Sequence, residues 1–401
     1  MKILISGAGI AGLSLAARLQ QRGLAPIVIE RAPHRRAGGY MLSLADPGYD
    51  AAERMGIADE LHAAQYVPRR LVYMSPEGRE KFVLQGEALR RLVGARQINL
   101  MRGDIEAVLY EKARGNVDIR FGASIASLEL HEQGARVRLE DGDILDVDLV
   151  VGADGLHSRV RTLAFGPEPD YVRPLGLRIA AFILDRSEFS ELAGDGTYSL
   201  TEVGRAMALA AIRGGGLVAF FVYRSAGARP GDSTQQELHR AFAGAEWLVP
   251  RTLECLPRAS SVYIDDVAQV VMPGWARCRA VLLGDAGYTV SLIAGRGASL
   301  AMAGACTLAD AIADAGDPAA ANVAAALARY EQWLRPMVEQ AQAMARRNVN
   351  LFTPASRFQL RARDVLLRLA GLPGLAHLMR RALYREGQRL PPAGAGRAGD
   401  A

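Results

Sequence analysis

The chain has 401 residues, of which 50% are hydrophobic and 23% charged, with a formal net charge of +5. This length allows two or three domains, at roughly 100–200 residues each, and a large core without disulfides or metals. The positive charge is spread along the chain without a block of like charges, so no nucleic-acid partner is expected.

The three cysteines, Cys255, Cys278 and Cys306, are far apart and near no histidine pair. We therefore expect reduced, mostly buried thiols, with neither a disulfide framework nor a metal site. No uninterrupted apolar run reaches the ~18 residues of a membrane span, and the N-terminus lacks a signal-peptide core. These features predict a cytoplasmic protein without a membrane partner.

In chain order, the first predicted unit is β-α-β: strands at Lys2–Ser6 and Pro26–Glu30 flank a helix from about Ile10 to Arg22. A helix over Asn99–Ala113, a strand at Val117–Phe121, a small β-meander to residue 147 and a buried strand at Leu149–Ala153 follow.

Four strands between residues 177 and 223 then occur without intervening helices, which predicts an antiparallel second sheet. A buried strand returns at Val281–Gly284. A long helix over Gly297–Ala315 and further helices over 319–385 complete the pattern.

The strongest chemical signal is Gly7-Ala8-Gly9-Ile10-Ala11-Gly12, which follows a strand and opens a helix. Its glycines permit a tight turn, close approach of a pyrophosphate and close helix packing. The helix N-terminus offers free N–H groups to the phosphates, and Glu30 ends the next strand, where a carboxylate binds ribose hydroxyls and repels a 2′-phosphate. A second match at Gly394–Gly399 has no strand, helix or acid around it, so only the first predicts a dinucleotide site.

Two later segments, Val150-Val151-Gly152-Ala153-Asp154-Gly155 and Val281-Leu282-Leu283-Gly284-Asp285-Ala286, each place an acid just beyond a buried strand. Ligands of open α/β sheets bind at that edge. Asp285 is suited to ribitol hydroxyls, and the helix beginning near Gly297 to the pyrimidine ring of a reduced flavin. The alternative for each acid is an N-cap or turn residue. Their order behind a supported glycine motif favours FAD over NAD.

These three motifs, in this order, resemble the class A FAD-dependent monooxygenases of the aromatic-hydroxylase type. The segment Gly38-Gly39-Tyr40-Met41-Leu42 and the chain length resemble the tetracycline-inactivating and polyketide-hydroxylase members. The resemblance extends to about residue 350. It implies that Glu30 and Arg31 hold FAD, that Arg102 contacts the flavin, and that the ring lies beside Gly39 and Gly295–Ala298. The cofactor set is Gly7, Gly9, Ile10, Ala11, Gly12, Glu30, Arg31, Gly39, Arg102, Asp154, Gly284, Asp285, Gly295, Gly297 and Ala298.

The resemblance also implies the reaction. NADPH or NADH, bound transiently, reduces FAD; O2 then adds at flavin C4a, and the hydroperoxide hydroxylates an aromatic or polycyclic, polyketide-like small molecule. The six scattered histidines indicate no catalytic acid or base, so no catalytic residue is assigned. The candidate substrate contacts are Arg178, Tyr198, Arg213, Phe221, Tyr223 and Tyr288, and strand alternation turns about half of any such set away.

The sequence departs from the family at Gly287-Tyr288, where Ala-His is usual, and at Arg296, where glutamine is common. Two alternatives stay open: a flavin-dependent halogenase, although Trp247, Trp275 and Trp333 are isolated, and a non-catalytic FAD- and ligand-binding resistance protein. A monomer and a homodimer both fit the sequence.

The predicted fold is therefore α/β, with a Rossmann-like FAD-binding domain interrupted by a mainly antiparallel substrate-binding sheet. We expect residues 1–174 and 272–350 to form the FAD-binding domain and residues 175–271 to form the substrate domain. Part of the 70–97 segment is expected to join the substrate domain. Residues 351–390 are expected to form C-terminal helices and 391–401 a disordered Pro/Gly/Ala-rich tail.

Overall fold

The computed structural model describes residues 1–35, 39–66, 69–86, 96–192, 194, 196–225, 231–259, 262–316, 319–370 and 389–391. They form a mixed α/β fold with a mainly parallel sheet, a mainly antiparallel sheet and helices toward the C-terminus, which confirms the predicted fold class. Gly38, most of the helical segment predicted beyond residue 370 and the predicted tail after Pro391 lie outside the described residues.

The strands and helices have the following bounds. The strands are β1 (Ile3–Ser6), β2 (Ile27–Glu30), β3 (Met41–Ala45), β4 (Arg70–Met74), β5 (Glu80–Gln85), β6 (Gln97–Met101), β7 (Asp118–Phe121), β8 (Ile125–His131), β9 (Gly134–Leu139), β10 (Ile144–Val147), β11 (Leu149–Gly152), β12 (Val172–Asp185), β13 (Gly196–Glu202), β14 (Arg205–Ala211), β15 (Gly216–Arg224), β16 (Val262–Val270), β17 (Ala276–Arg277) and β18 (Ala280–Leu282). The α-helices are α1 (Ile10–Gln21), α2 (Gly48–Met55), α3 (Ala58–Ala64), α4 (Arg102–Ala113), α5 (Arg159–Ala164), α6 (Thr234–Ala241), α7 (Val249–Glu254), α8 (Asp285–Tyr288), α9 (Gly297–Ala315), α10 (Ala320–Phe352) and α11 (Arg357–Ala370).

The first sheet has the strand order β17-β18-β11-β1-β2-β7, and all its pairs are parallel except β17 with β18. β1, β11 and β18 are buried along their whole length, as apolar strands covered on both faces must be. Ser6 pairs with Gly152, and Gly152 pairs with Leu282. The loops that follow these three strands therefore leave the sheet side by side.

Helix α9 packs against α1, α2 and α10, and it also contacts β3. It is long and apolar enough, by length and composition, to cross a membrane, but 78% of its apolar window is buried inside the protein. Arg18 of α1 and Asp310 of α9 form a buried ion pair at 2.7 Å, which fixes the two helices against each other. The apolar character of α9 is thus that of a core helix.

The second sheet has the order β16-β12-β15-β14-β13-β4-β5, antiparallel except for the pair of β13 with β4. Strands β4 and β5 lie within the 70–97 segment that was expected to contribute here; residues 87–95 are outside the described part. One face buries a separate core beneath α6 and α7, and the other packs against Ile293 and its neighbours. The domain boundaries at residues 174 and 272 stay a prediction.

Two smaller sheets, β10-β9-β8 and β3-β6, complete the strands. The helix predicted over Asn99–Ala113 begins only at Arg102, because Asn99 to Met101 pair with β3. Backbone pairing with a distant strand is a tertiary effect, which helical spacing alone does not reveal.

The three cysteine thiols are all free. Cys255 and Cys306 are buried, and Cys278 is exposed.

Candidate functional site

A cleft of about 730 Å³ lies between the carboxyl ends of the parallel strands and one end of the antiparallel sheet. Most of the predicted cofactor residues line it: Gly7, Gly9, Ile10, Ala11, Glu30, Arg31, Arg102, Asp154, Asp285, Gly295, Gly297 and Ala298. Gly12, Gly39 and Gly284 lie next to lining residues without lining the cleft themselves. Its size and position are those of a small-molecule or cofactor site.

The glycine loop after β1 needs its glycines for two different reasons. Gly7 has φ +109°, and a Cβ atom there would lie 2.4 Å from the carbonyl oxygen of Ala153. A Cβ atom at Gly9 would lie no closer than 3.6 Å to any other residue, because Gly9 faces the cleft. Gly7 is therefore required by packing within the protein, whereas Gly9 leaves room for a ligand.

The Glu30 carboxylate is held by backbone hydrogen bonds at the end of β2. The N–H groups of Ala8 and Ala32 each donate to it at 2.9 Å. Helix α1 begins beside it, and no side chain of the described residues caps the N-terminus of α1 at Gly9. The site thus combines unused helix N–H groups, suited to phosphate, with an oriented carboxylate, suited to ribose hydroxyls.

The Asp154 carboxylate is occupied mainly by its own turn. It accepts hydrogen bonds from the backbone N–H groups of Arg159 and Val160, at 2.8 and 3.1 Å, and from the Ser158 hydroxyl. Burial raises the pKa of Asp154, and these hydrogen bonds partly oppose the shift. Asp154 lines the cleft, but its contacts are those of the capping residue that the sequence left as an alternative.

Asp285 lies at the other end of the cleft, three residues after β18 ends at Leu282. Gly284, with φ +65°, turns the chain there, and Asp285 Oδ1 lies 3.9 Å from the position of a Cβ atom at Gly297. The carboxylate thus stands beside the N-terminus of α9. Desolvation by the surrounding protein raises the pKa of Asp285, and the positive charge of Arg102 partly opposes this shift. The side chain is nevertheless exposed to the cleft.

Arg102 and two tyrosines form the wall between the two sheets. Arg102 pairs with Glu106 at 3.0 Å, and the rings of Tyr40 and Tyr263 lie 5.1 Å apart. Burial raises the pKa of Tyr40 to about 12, and burial likewise raises the pKa of Tyr263. Burial lowers the pKa of Arg102, but the charges of the acidic groups around it, Glu106 first and Asp285 among them, together outweigh burial and leave the pKa raised. At neutral pH the wall therefore presents one cation and two protonated phenols.

Tyr263, Asp265 and Ser291 line the cleft and were missed by the sequence analysis. Tyr263 and Asp265 alternate along β16, with the Tyr263 hydroxyl 3.3 Å from Asp265 Oδ2. The β-branched and aromatic residues in Val262–Val270 are the available signal for this strand, which the sequence analysis does not predict.

Three predicted substrate contacts are on the wrong face of the antiparallel sheet. Tyr198, Phe221 and Tyr223 are buried in the core beneath α6 and α7, away from the cleft. The Tyr223 hydroxyl donates to Glu237 at 2.6 Å, and Arg178 forms an ion pair with the same carboxylate at 2.7 Å. Arg213 donates to the carbonyl oxygen of Ala63 at 2.6 Å, at the surface. None of these residues lines the cleft.

Tyr288 also lies outside the cleft, which corrects its assignment as a substrate contact. Its ring is buried 4.5 Å from that of Trp275, and its hydroxyl lies 3.2 Å from that of Tyr330. The Tyr330 hydroxyl is also 3.0 Å from the carbonyl oxygen of Leu282. The Gly287-Tyr288 departure from the family pattern therefore changes core packing behind the cleft.

Among the residues that the structure describes, no group of three or more His, Cys, Asp and Glu side chains is placed to hold a metal ion. The glycine loop, Glu30 and the N-terminus of α9 are the groups of the cleft that could hold an organic ligand.

Comparison with known proteins agrees with this geometry. The family profile described as "FAD binding domain" matches residues 1–345. A flavin-dependent monooxygenase from an unknown prokaryotic organism is 32% identical over 351 residues, covering 85% of this chain and 88% of the relative. An uncharacterized protein of Mycobacterium tuberculosis is 32% identical over 362 residues, covering 86% and 93% of the two chains. The crystal structure of the tetracycline destructase Tet(55) superposes with a TM-score of 0.81 at 28% identity, covering 97% of this chain and 98% of that chain.

Proposed function

The chain belongs to the FAD-binding domain family and is an FAD-dependent monooxygenase, and from this premise we propose that it hydroxylates an aromatic or polycyclic, polyketide-like small molecule with NAD(P)H and O2. One observation carries the proposal. A single cleft joins a phosphate- and ribose-binding end, at Gly9 and Glu30, to an end at Asp285 that borders the antiparallel sheet. Such a cleft suits an extended dinucleotide whose reactive ring reaches a substrate.

The residues present fit FAD. The N–H groups at the start of α1 would bind the pyrophosphate, and the Glu30 carboxylate would accept hydrogen bonds from the adenosine ribose. Asp285 would accept hydrogen bonds from the ribitol chain. Bound FAD would supply the redox chemistry, taking hydride from reduced nicotinamide and activating O2.

The protein's own contribution is binding, orientation and exclusion of water. The N-terminus of α9, at Gly297, carries partial positive charge, which would stabilise negative charge on bound, reduced FAD. Tyr40 and Tyr263 form an aromatic wall beside it. Both phenols stay protonated at neutral pH because burial raises their pKa values, so they add no negative charge near the ring.

The substrate class is supported by the aromatic and apolar side chains that line the cleft. Tyr40, Tyr263 and Leu292 are among them. A lining of this kind suits a flat ring system better than a highly charged ligand. The similarity to the tetracycline destructase Tet(55) supports the same class and makes tetracycline the first compound to test.

The test is NADPH oxidation by the purified, FAD-loaded protein in air, with and without tetracycline and a panel of polycyclic phenols. We expect at least one compound to accelerate oxidation and to gain one oxygen atom derived from 18O2. The same assay with NADH measures the nicotinamide preference. A protein that retains FAD and binds such compounds while their presence never accelerates NADPH or NADH oxidation would instead be a non-catalytic binder.

A further inference from the structure

Helix α11 leaves a row of apolar side chains open to solvent. Phe358 is 80% exposed and Val365 55%, and Leu366 and Leu369 are 42% and 40% exposed. The later three follow Phe358 by about two or three helical turns, so all four side chains lie on one face of the helix. We call this row the apolar stripe. Exposed apolar groups gathered on one face mark an interaction surface, whereas single exposed ones do not.

The opposite side of α11 is held against the protein by charged side chains. Asp364 forms an ion pair with Lys81 of β5. The Arg363 guanidinium lies 5.2 Å from the centre of the Tyr73 ring. A surface helix of a globular protein normally turns its apolar face to the core and its charged face to water. Because α11 directs these charged side chains inward and the apolar stripe outward, packing within the described part of the chain does not account for the stripe.

Arginines border the apolar stripe along one edge of α11. Arg357 and Arg361 are one turn apart and exposed, and neither has an ion-pair or hydrogen-bond partner among the described residues. Arg368 lies on the same edge by its spacing, and it donates to the carbonyl oxygen of Lys81 at 3.2 Å. Asp364 is the single acid in the sequence of α11, and Lys81 neutralises it. The edge therefore carries net positive charge.

A groove of about 560 Å³ adjoins this edge and adds further positive charge. It is lined by residues of α11, α6 and the antiparallel sheet, and no described residue lines both this groove and the FAD cleft. The Arg224 guanidinium is bound there by neutral oxygens, at 2.8 Å from Asn350 Oδ1 and 2.9 Å from the carbonyl oxygen of Thr353. Two carboxylates of the groove face five cations, which are Lys81, Arg205, Arg224, Arg240 and Arg357.

We propose that α11 binds the surface of a lipid bilayer that contains anionic phospholipids. The apolar stripe would enter the boundary of the acyl chains, and the arginine edge would lie at the headgroup phosphates. Amphipathic helices with this combination of aromatic and leucine residues beside basic ones bind anionic bilayers in the plane of the surface. A second copy of α11 would offer the arginines no exposed carboxylate, so charge complementarity favours the lipid.

The contact would be peripheral, because α11 has 14 residues and a membrane-spanning helix needs about 20. The sequence analysis expected no membrane partner, but it considered only spanning segments and signal peptides, which an interfacial helix does not require. The proposal replaces that expectation. It does not depend on the proposed reaction, since the groove and the apolar stripe are separate from the FAD cleft.

The test is co-sedimentation of the full-length, FAD-loaded protein with vesicles of phosphatidylcholine, alone or mixed with phosphatidylglycerol. At about 0.1 M salt, we expect the partition coefficient for the anionic vesicles to be at least about tenfold larger than that for the neutral vesicles. At about 1 M salt, where the Debye length falls to ~3 Å, this difference should disappear.

Two double variants separate the apolar from the charged contribution. Phe358→Gln/Val365→Gln replaces the two most exposed side chains of the apolar stripe and should lower binding to the anionic vesicles by at least about tenfold. Arg357→Gln/Arg361→Gln should lower that binding by about tenfold and leave binding to neutral vesicles unchanged. Since all four side chains are exposed, both variants should melt at the wild-type temperature.

The matched control is Arg138→Gln/Ile144→Gln. Arg138 of β9 and Ile144 of β10 are cross-strand partners, and both are exposed, so they place a cation beside an apolar side chain on another part of the surface. This variant should bind both kinds of vesicle as the wild type does. An equal loss of binding in the control and in the α11 variants would show that α11 is not the contact surface.

A wild-type protein that binds neither kind of vesicle overturns the proposal, as does unchanged binding in both α11 variants. Sedimentation velocity and thermal melting then identify the other occupant. A dimer that Phe358→Gln/Val365→Gln dissociates would assign the apolar stripe to a second copy of the chain. A monomeric variant that melts well below the wild type would assign it to residues 371–388 of the same chain. None of these measurements needs turnover, so they stay decisive if the proposed substrate class is wrong.

Discussion

Gly12 and Gly7 approach each other so closely that a Cβ atom on Gly12 would lie 1.9 Å from the carbonyl oxygen of Gly7. The first turn of α1 is thereby pressed against the loop that follows β1. Gly9 lies between them in the sequence but faces the cleft, where a Cβ atom would make only ordinary contacts. The three glycines of one motif thus separate into packing positions and a ligand-facing position.

This separation predicts opposite outcomes for two substitutions. Gly12→Ala should destabilise the folded protein by about 1–3 kcal/mol, or more, because the added methyl group overpacks the turn. Gly9→Val should change the free energy of unfolding of the FAD-free protein by less than about 0.5 kcal/mol and raise the Kd for FAD at least about tenfold, by blocking the pyrophosphate. Chemical denaturation and FAD titration measure both quantities. A Gly9→Val protein that remained fully yellow through purification would contradict the assignment of this loop.

The two acids that follow the parallel strands form a second matched pair. Asp154→Ala removes the acceptor for the N–H groups of Arg159 and Val160, so it should cost about 0.5–2 kcal/mol of stability, as loss of a helix cap does. Asp285→Ala should weaken FAD binding with a smaller effect on folding, because the Asp285 carboxylate is open to the cleft. Unfolding of the FAD-free variants and their Kd for FAD provide the comparison. Equal losses of folding and binding in Asp285→Ala would make it a capping residue like Asp154.

The cofactor end of the cleft was predictable because its signals are local. Gly7 to Gly12, Asp154 and Asp285 each follow a strand that is recognisable from its apolar run, and parallel strands bring such loops to one edge. The face of the antiparallel sheet on which each side chain lies could not be predicted in this way. Phe220 and Phe221 are adjacent and identical in type, yet Phe221 is in the separate core and Phe220 on the side of Ile293. Both faces of that sheet are apolar, so the polar–apolar alternation that assigns a face is absent.

Tyr288 supplies a further test, because it departs from the family pattern yet lies in the core. Tyr288→Phe should lower the free energy of unfolding by about 1 kcal/mol through loss of the hydrogen bond with Tyr330. The Kd for FAD and the KM for any substrate should stay at wild-type values, since the ring does not line the cleft. Tyr288→Ala, which empties the space beside Trp275, should cost about 3–5 kcal/mol. A change in KM with Tyr288→Phe at unchanged stability would return Tyr288 to the substrate site.

His157, at the rim of the cleft, should make stability depend on pH. Its Nδ1 lies 2.9 Å from Glu168 and its Nε2 3.3 Å from Asp265, and Glu168 also pairs with Arg161 at 3.0 Å. Partial burial lowers the pKa of His157, but the hydrogen bond with Glu168 and the charges of both carboxylates outweigh it and leave the pKa raised.

A raised pKa in the folded state means that the folded protein binds this proton more tightly than the unfolded chain does. The stabilising contribution of His157 is therefore complete below the unfolded pKa of about 6.5 and is lost as the pH rises through the higher folded value. His157→Gln should accordingly be less stable than the wild type near pH 6, and the difference should shrink by about pH 8. Denaturation of both proteins across this range, in FAD-free form, measures the difference. A gap that stays constant or widens with increasing pH would show that His157 is neutral in the folded protein and that its two carboxylate contacts do not hold a proton there.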